Sequence, residues 1–337
     1  MVRRSLMVVA LLAASSPLAA QEEYVWTSNR PDADAPLGVT GARTLDAGAT
    51  EITYRFTQMN SQSVWFGTDS ISVATTYAAG FAVAPMTLSQ QTHGLIASRG
   101  ITENLTLMAT AEFSVYRRDQ LTGTMRYITN TNALGDVTAT AIYELYHQGP
   151  YRLSASVGGV IPIGKSRTYA VTTTPGVKVP MPYDMRPGGG TFAVLPGITG
   201  LVQNEVGSLG AQFKGRINVG TGSTDFTLGD RYEANGWAAY RFNDIFSVSA
   251  GVRWQIWGDI EGGDPLLAGL PTDPGTLTLV AGQRADMPVG VNFVIPGNSI
   301  FAGHRLFFEA VYALHHDYEG PQLGLDWGVN VGWKMAF

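Results

Sequence analysis

The side chains able to carry chemistry are few. The chain has five histidines, His93, His147, His304, His315 and His316, and no cysteine. A hydrolytic site on a strand-built scaffold needs a Ser or Asp within hydrogen-bond reach of a His. Only His93 and His315 fall where such a pair would meet a lipid boundary or an outer rim. No Gly-x-Ser-x-Gly elbow and no His-Glu-x-x-His pair occurs in the sequence. His315, His316 and Asp317 are adjacent, but neighbours on a strand point to opposite faces and chelate poorly. Asp259, Glu261 and Asp264 offer oxygens that calcium would accept, without the order of an EF-hand loop. The expectation is no catalytic residue, no cofactor and no metal.

The charges form a more informative pattern. Taken by strand parity, Arg55, Glu112, Glu144, Arg152, Lys214, Arg216, Arg231, Glu233, Arg241, Arg253, Glu309, Asp326 and Lys334 share one polar face, eight basic against five acidic. Lys214, Arg216, Arg231, Arg241 and Arg253 lie on three consecutive segments, with Glu112 and Glu144 on another pair. A basic wall facing an acidic one sets a transverse field across a narrow pore and selects polar solutes. Arg55, Glu112, Glu144, Lys214, Arg216, Arg231, Glu233, Arg253 and Glu309 are the expected lumen and selectivity residues. The alternative is that these charges pair and fill the lumen.

What must position them is a set of strands. From Glu51 onward apolar and polar residues alternate with period two in segments the length of a tilted bilayer-crossing strand. In Ser208 to Val219, Leu209, Ala211, Phe213, Ile217 and Val219 alternate with Gln212, Lys214, Arg216 and Asn218. About twelve such segments occur, near 51–59, 88–98, 104–115, 136–146, 151–162, 191–202, 208–219, 231–242, 246–257, 286–295, 304–314 and 323–337. Short turns on one side and long loops on the other fit an all-β transmembrane antiparallel barrel with periplasmic turns and extracellular loops. A soluble sandwich fits less well, because charge sits mid-face and aromatics bracket the turns. Tyr146, Tyr151, Phe242 and Phe246 mark one rim, and Trp254, Trp257 and Trp327 the other. Twelve strands fall between a side-chain-filled barrel and an open water channel.

The 337 residues carry 15% charge, 40 glycines and a net charge of −5, which gives no basic field for nucleic acid. Met1 to Ala20 reads as a signal peptide, with Arg3 and Arg4, a short apolar core and a small-residue exit. Residues 21–48, with Pro31, Asp32, Asp34 and Pro36, lack alternation and form either a lumen plug or a disordered periplasmic tail. Residues 49–337 form the barrel. Loops 163–190 and 258–285 carry Val177, Val179, Met181, Leu266, Leu267 and Leu270, which would fold inward and line a vestibule.

The C-terminal Gly332-Trp333-Lys334-Met335-Ala336-Phe337 resembles the last strand of outer-membrane barrels, whose final aromatic is read by the outer-membrane assembly machinery. Residues 28–39, 228–232 and 317–323 resemble segments of a transporter family related to the meta-pathway of phenol degradation. The resemblance implies a porin-like barrel in the bacterial outer membrane, in contact with lipid and lipopolysaccharide, that passes small, often aromatic or apolar, molecules. The expected function is passive uptake of small molecules. A non-transporting structural or surface-interaction barrel is the alternative, and a barrel enzyme comes after it.

Overall fold

The computed structural model describes residues 24–171, 178–222, 224–298 and 300–337; the expected signal peptide and Val177 lie outside them. Eleven extended runs form one closed ring: β1 Thr50–Gly67, β2 Val83–Thr102, β3 Leu105–Thr122, β4 Val137–Gln148, β5 Tyr151–Ile161, β6 Phe192–Gln203, β7 Gly207–Val219, β8 Arg231–Arg241, β9 Phe246–Trp257, β10 Gly282–Val294 and β11 Arg305–Ala336. Each pairs antiparallel with the next, and β11 closes onto β1.

The last run has 32 residues. Its first arm, Arg305 to Tyr318, pairs with β10, and its second, Tyr318 to Ala336, pairs with β1. A ring nitrogen of His316 lies 2.8 Å from the Leu325 carbonyl, across the fold between the arms. Eleven runs with the last counted twice make twelve passes, an even number that returns both ends to one side. Thr50 and Phe337 accordingly exchange backbone hydrogen bonds of 2.8 and 3.0 Å.

Parity decides what each face meets. On β7, Leu209, Phe213 and Ile217 are exposed outward while Gln212 is buried inside. The same outward apolar face recurs at Leu107, Val157, Val252 and Phe308. A continuous apolar exterior on a closed, edge-free sheet is the surface that lipid covers. Among the described residues no helix is long and apolar enough to cross a membrane.

Two features differ from the sequence-based expectation. Strand pairing continues well beyond the apolar belt: β1 runs to Gly67, β2 starts at Val83, and Met125–Leu134 folds back on β3 about a turn at Gly123, where φ is +61°. Beyond the apolar belt lipid no longer covers the outer face and the loops cover the inner one, so Arg117, Arg118, Asp119 and Gln120 are polar on both faces, the last three buried, and lose the period-two contrast although the backbone ladder persists. Trp257 does not join the outer girdle. It shares the inward parity of Arg253 and Gln255, and its indole donates to the Val280 carbonyl at 2.7 Å. Tyr146, Tyr151, Phe242, Trp254 and Trp327 are exposed outward as expected.

The long loops fold over the ring's mouth. Met181 and Met185 pack against Leu88, with Leu323 beside them. Asp264 takes Arg186 at 2.8 Å and Arg167 at 3.2 Å, joining one loop to the other. Both Asp264 carboxylate oxygens are thus engaged by arginines. Arg118, wholly buried, reaches from β3 to Asp273 at 2.9 Å and to Asp184 at 3.5 Å. Of the apolar loop residues expected inside, Met181 is buried, Val179, Leu267 and Leu270 are half-buried, and Leu266 is exposed. Leu266 follows Pro265 on a one-turn helix capped by Asp264, which turns it to solvent.

Candidate functional site

A stretch of irregular backbone inside a barrel must find a partner for each amide and carbonyl. The segment Tyr24–Ala49 finds them on the inward side chains of the wall. Arg305 donates to the carbonyls of Ser28 at 2.6 Å and Arg30 at 2.8 Å, and Asn292 to that of Pro31 at 3.2 Å. Lys214 donates to Thr40 Oγ1 at 2.9 Å, Gln212 to the Thr40 carbonyl at 3.1 Å, and Arg55 to that of Leu37 at 3.4 Å. The amides of Thr27 and Leu45 donate to Gln203 and Thr106, each at 2.8 Å. Trp26 and Ala33 pack on Leu201 and Trp237 of the wall. This inner strap is thus held by β1, β3, β6, β7, β10 and β11.

Its strongest anchor is ionic. Asp34 lies 3.0 Å from both Arg305 and Lys334 and 3.2 Å from Arg43, while Glu51 lies 2.8 Å from Arg43 and 3.1 Å from Lys334. Two carboxylates shared by three cations, all nearly shielded from solvent, form a closed network in which every charge but Arg305 has two or more charged partners, and Arg305 adds the carbonyls of Ser28 and Arg30. Farther along the strap, a Cβ on Gly38 would sit 1.9 Å from Arg253 Nη2 and 3.0 Å from Glu309 Oε1. Glycine lets the chain pass between those two side chains.

The sequence-derived lumen residues largely meet as local pairs. Arg55 bonds Glu112 at 2.9 Å. Glu233 accepts from Gln255 at 2.6 Å and Asn235 at 2.7 Å, with Arg253 at 4.0 Å. Glu309 accepts from Asn330 at 2.6 Å. Arg216 lies 3.7 Å from Asp136. Glu144 stands apart from these, beside Arg152 at 3.6 Å and His147 at 3.4 Å near a short turn. Arg241 is at the rim, bonded to Asp244 of the β8–β9 turn. Glu112, Glu144 and Glu233 each sit beside a cation while Glu309 and Lys214 are held by neutral partners, so the charges interleave and opposed basic and acidic walls do not form. The exception is Arg216, which faces Arg231 directly across the β7–β8 pair.

Several interior charges were not singled out from the sequence: Arg43, Asp136, Arg284, Asp286 and Arg305, while Asp34 was named only as part of the 21–48 segment. Arg284 and Asp286 share one parity and bond at 2.8 Å, a signal that drawing the strand from residue 286 hid. Of the histidines, His93 bonds Tyr54 at 2.8 Å on the outer side and His315 stacks on Trp254.

Two cavities open above the strap. The outer, about 380 Å³, lies under the loops and is lined by Tyr183, Asp184, Leu228, Trp257, Leu277 and Tyr318 among others. The inner, about 300 Å³, is lined by Glu112, Glu233 and Lys214 and is floored by Gly38, Thr40 and Gly41 of the strap. Arg216 and Arg231 line both. Asp184 is the carboxylate at the outer cavity; burial and the neighbouring Asp273 push its pKa up against the opposing pull of Arg118.

No family model and no curated protein matches the chain. Among solved structures it is similar to an outer-membrane channel from Pseudomonas putida F1, with a TM-score of 0.62 at 15% identity over 89% of this chain and 99% of that one. Weaker likeness extends to the KdgM porin in complex with oligogalacturonate (TM-score 0.42, 9% identity, 85% and 99% covered). The CymD monoaromatic hydrocarbon channel is similar to the same degree (0.42, 9%, 87% and 89%). The first of these shows a shared fold, and the other two carry no further argument. The closed ring, its apolar exterior and that likeness define a bacterial outer-membrane β-barrel.

Proposed function

We propose that this barrel is a passive channel for small molecules, held closed at rest by the strap of residues 24–49. The observation that carries the reading is the stacking of two cavities that meet at Arg216 and Arg231 above a floor pinned by Asp34. A structural barrel has no need of a water-sized interior path; a filled lumen would serve it better. The resemblance to the phenol meta-pathway transporters agrees with this placement. Residues 28–39 belong to the strap, and Leu228, Gly229, Arg231, Tyr318, Gln322 and Leu323 line the outer cavity. Lipid and lipopolysaccharide are the surroundings, and the exposed Phe337 at the ring's closing edge is the feature an assembly machine would read.

Selection falls to the Arg216–Arg231 junction, with Arg55, Glu112, Lys214, Glu233, Arg253 and Glu309 setting the field of the inner cavity. The test is the reversal potential of the open pore under a salt gradient. Wild type should prefer anions mildly, and Arg216→Glu with Arg231→Glu should remove or invert that preference. A pore whose selectivity ignores both changes would not run past these residues, and a folded protein silent under every condition would be a structural barrel.

A further inference from the structure

We propose that the outer cavity is a binding site for a small organic carboxylate, with Arg231 as the residue that receives the carboxylate and Trp257 and its apolar neighbours as the bed for the organic body. The proposal deepens the channel reading and rests on it for the ligand's onward path.

Arg231 is the origin of the argument. It opens β8 and stands directly opposite Arg216 on one side and Trp257 on the other, all on the inward face. Like charges directly opposed on one sheet face repel. Arg216 has Asp136 as a counter-charge and Arg284 has Asp286. Among the described residues Arg231 has neither a hydrogen bond nor an ion pair; its guanidinium carbon lies 5.3 Å from the centre of the Trp257 ring, and the side chain is exposed to the cavity. A cation repelled by its cross-strand neighbour, stacked on an indole and open to a cavity is set up to take an anion from solution.

The rest of the cavity says what kind of anion. A site for a bare inorganic ion would be small and polar, whereas this one is about 380 Å³, within the range of small-molecule sites. Beyond the arginines its walls are largely apolar or aromatic, with Leu228, Ile260, Leu277, Leu323 and the rings of Trp257 and Tyr318. A planar guanidinium fork matches a carboxylate, and the ring beside it offers a stacking surface. The ligand class is therefore a monocarboxylate bearing an aromatic or branched apolar body. The cavity holds one carboxylate of its own, Asp184, at the loop side and tied to Arg118, so the anion's place at Arg231 is not already taken.

The test is equilibrium dialysis of radiolabelled benzoate against the refolded full chain in detergent, with folding checked by heat-modifiable migration. Benzoate should bind saturably. Benzyl alcohol, which has the ring without the charge, and chloride, which has the charge without the ring, should each compete poorly. Arg231→Gln should weaken benzoate by about tenfold or more, as expected for loss of a charge-assisted hydrogen bond. Arg231→Lys should fall between, and Arg126→Gln, on an exposed extracellular hairpin, should bind as wild type does. If Arg231→Gln fails to fold, Arg231→Lys and Trp257→Leu carry the test, each expected to weaken binding. Unaltered benzoate affinity in the folded Arg231 variants, or equal competition by benzyl alcohol, overturns the site. Uptake of the same benzoate into vesicles is read in parallel: binding without uptake keeps the site and removes the channel, while uptake without Arg231-dependent binding keeps the channel and removes the site.

Discussion

Asp34 Oδ2 and Lys334 Nζ stand 3.0 Å apart, joining the inner strap to the strand arm that closes the ring. The same oxygen is 3.0 Å from Arg305 at the start of that run. One carboxylate on a non-strand segment thus ties the lumen's contents to both arms of β11, and its loss should free the strap while leaving the backbone ladder intact.

Asp34→Asn leaves Glu51 alone among three clustered cations, and removing one partner of a buried ionic network costs about 3–5 kcal/mol. The expected result is protease sensitivity within residues 24–49 and a rise in pore conductance, with the barrel still heat-modifiable. A strap as resistant as wild type would mean the anchor lies elsewhere.

Gly100 gives a steric version of the same test. A Cβ there would sit 2.1 Å from the Asp46 carbonyl oxygen, where the strap leaves the lumen, and that atom is backbone. Gly100→Ala should cost about 1–3 kcal/mol by overpacking. Gly236→Ala, with open space around its Cβ, should be close to neutral. Urea unfolding in lipid vesicles measures both.

Arg118 should govern the loops and not the ring. It is wholly buried and bonded to Asp273, with Asp184 nearby. Arg118→Ala strands those carboxylates, so added protease should cleave within 258–281 in proteoliposomes, while thermal unfolding of the barrel hardly moves.

The latch between the two long loops should fail only in acid. Burial alone would raise the Asp264 pKa, but hydrogen bonds from Arg167, the Leu266 amide and Arg186 together hold the carboxyl below its ordinary value. A carboxyl with a lowered folded pKa adds stability that is present above its unfolded pKa, about 3.9, and is lost as pH falls through the lower folded value. The opening equilibrium of residues 163–168 and 260–268, read from hydrogen exchange after division by the intrinsic amide rate, should therefore be flat from neutral pH down to about pH 4 and rise below it. Arg186→Gln should move that rise to higher pH.

Alternation was a sufficient guide to the ring because lipid on one side and a polar lumen on the other impose opposite demands on successive residues. It placed Lys214, Arg216 and Arg231 on the inner face and Phe213 and Trp254 on the outer. It failed where those demands lapse, as at Arg117 to Gln120; at Trp257 the parity pointed inward and only the assignment to an aromatic rim failed, because the indole finds its partner inside at Val280. The pairing of Arg55 with Glu112 depends on the register that sets both opposite Gly94 on the strand between them, and that of Asp34 with Arg305 and Lys334 on where an irregular segment threads. Periodicity carries no record of either. Nor does it show that Arg231, one of several arginines of the same parity, has no ion-pair partner among the described residues.

The most direct measurement is single-channel conductance in planar bilayers of residues 21–337 with and without residues 24–43. The account predicts small or rare openings for the intact chain and steady, several-fold larger conductance once the strap is gone, with both proteins folded by heat-modifiable migration. Equal conductance of the two would contradict it, because the strap would then not be what closes the lumen.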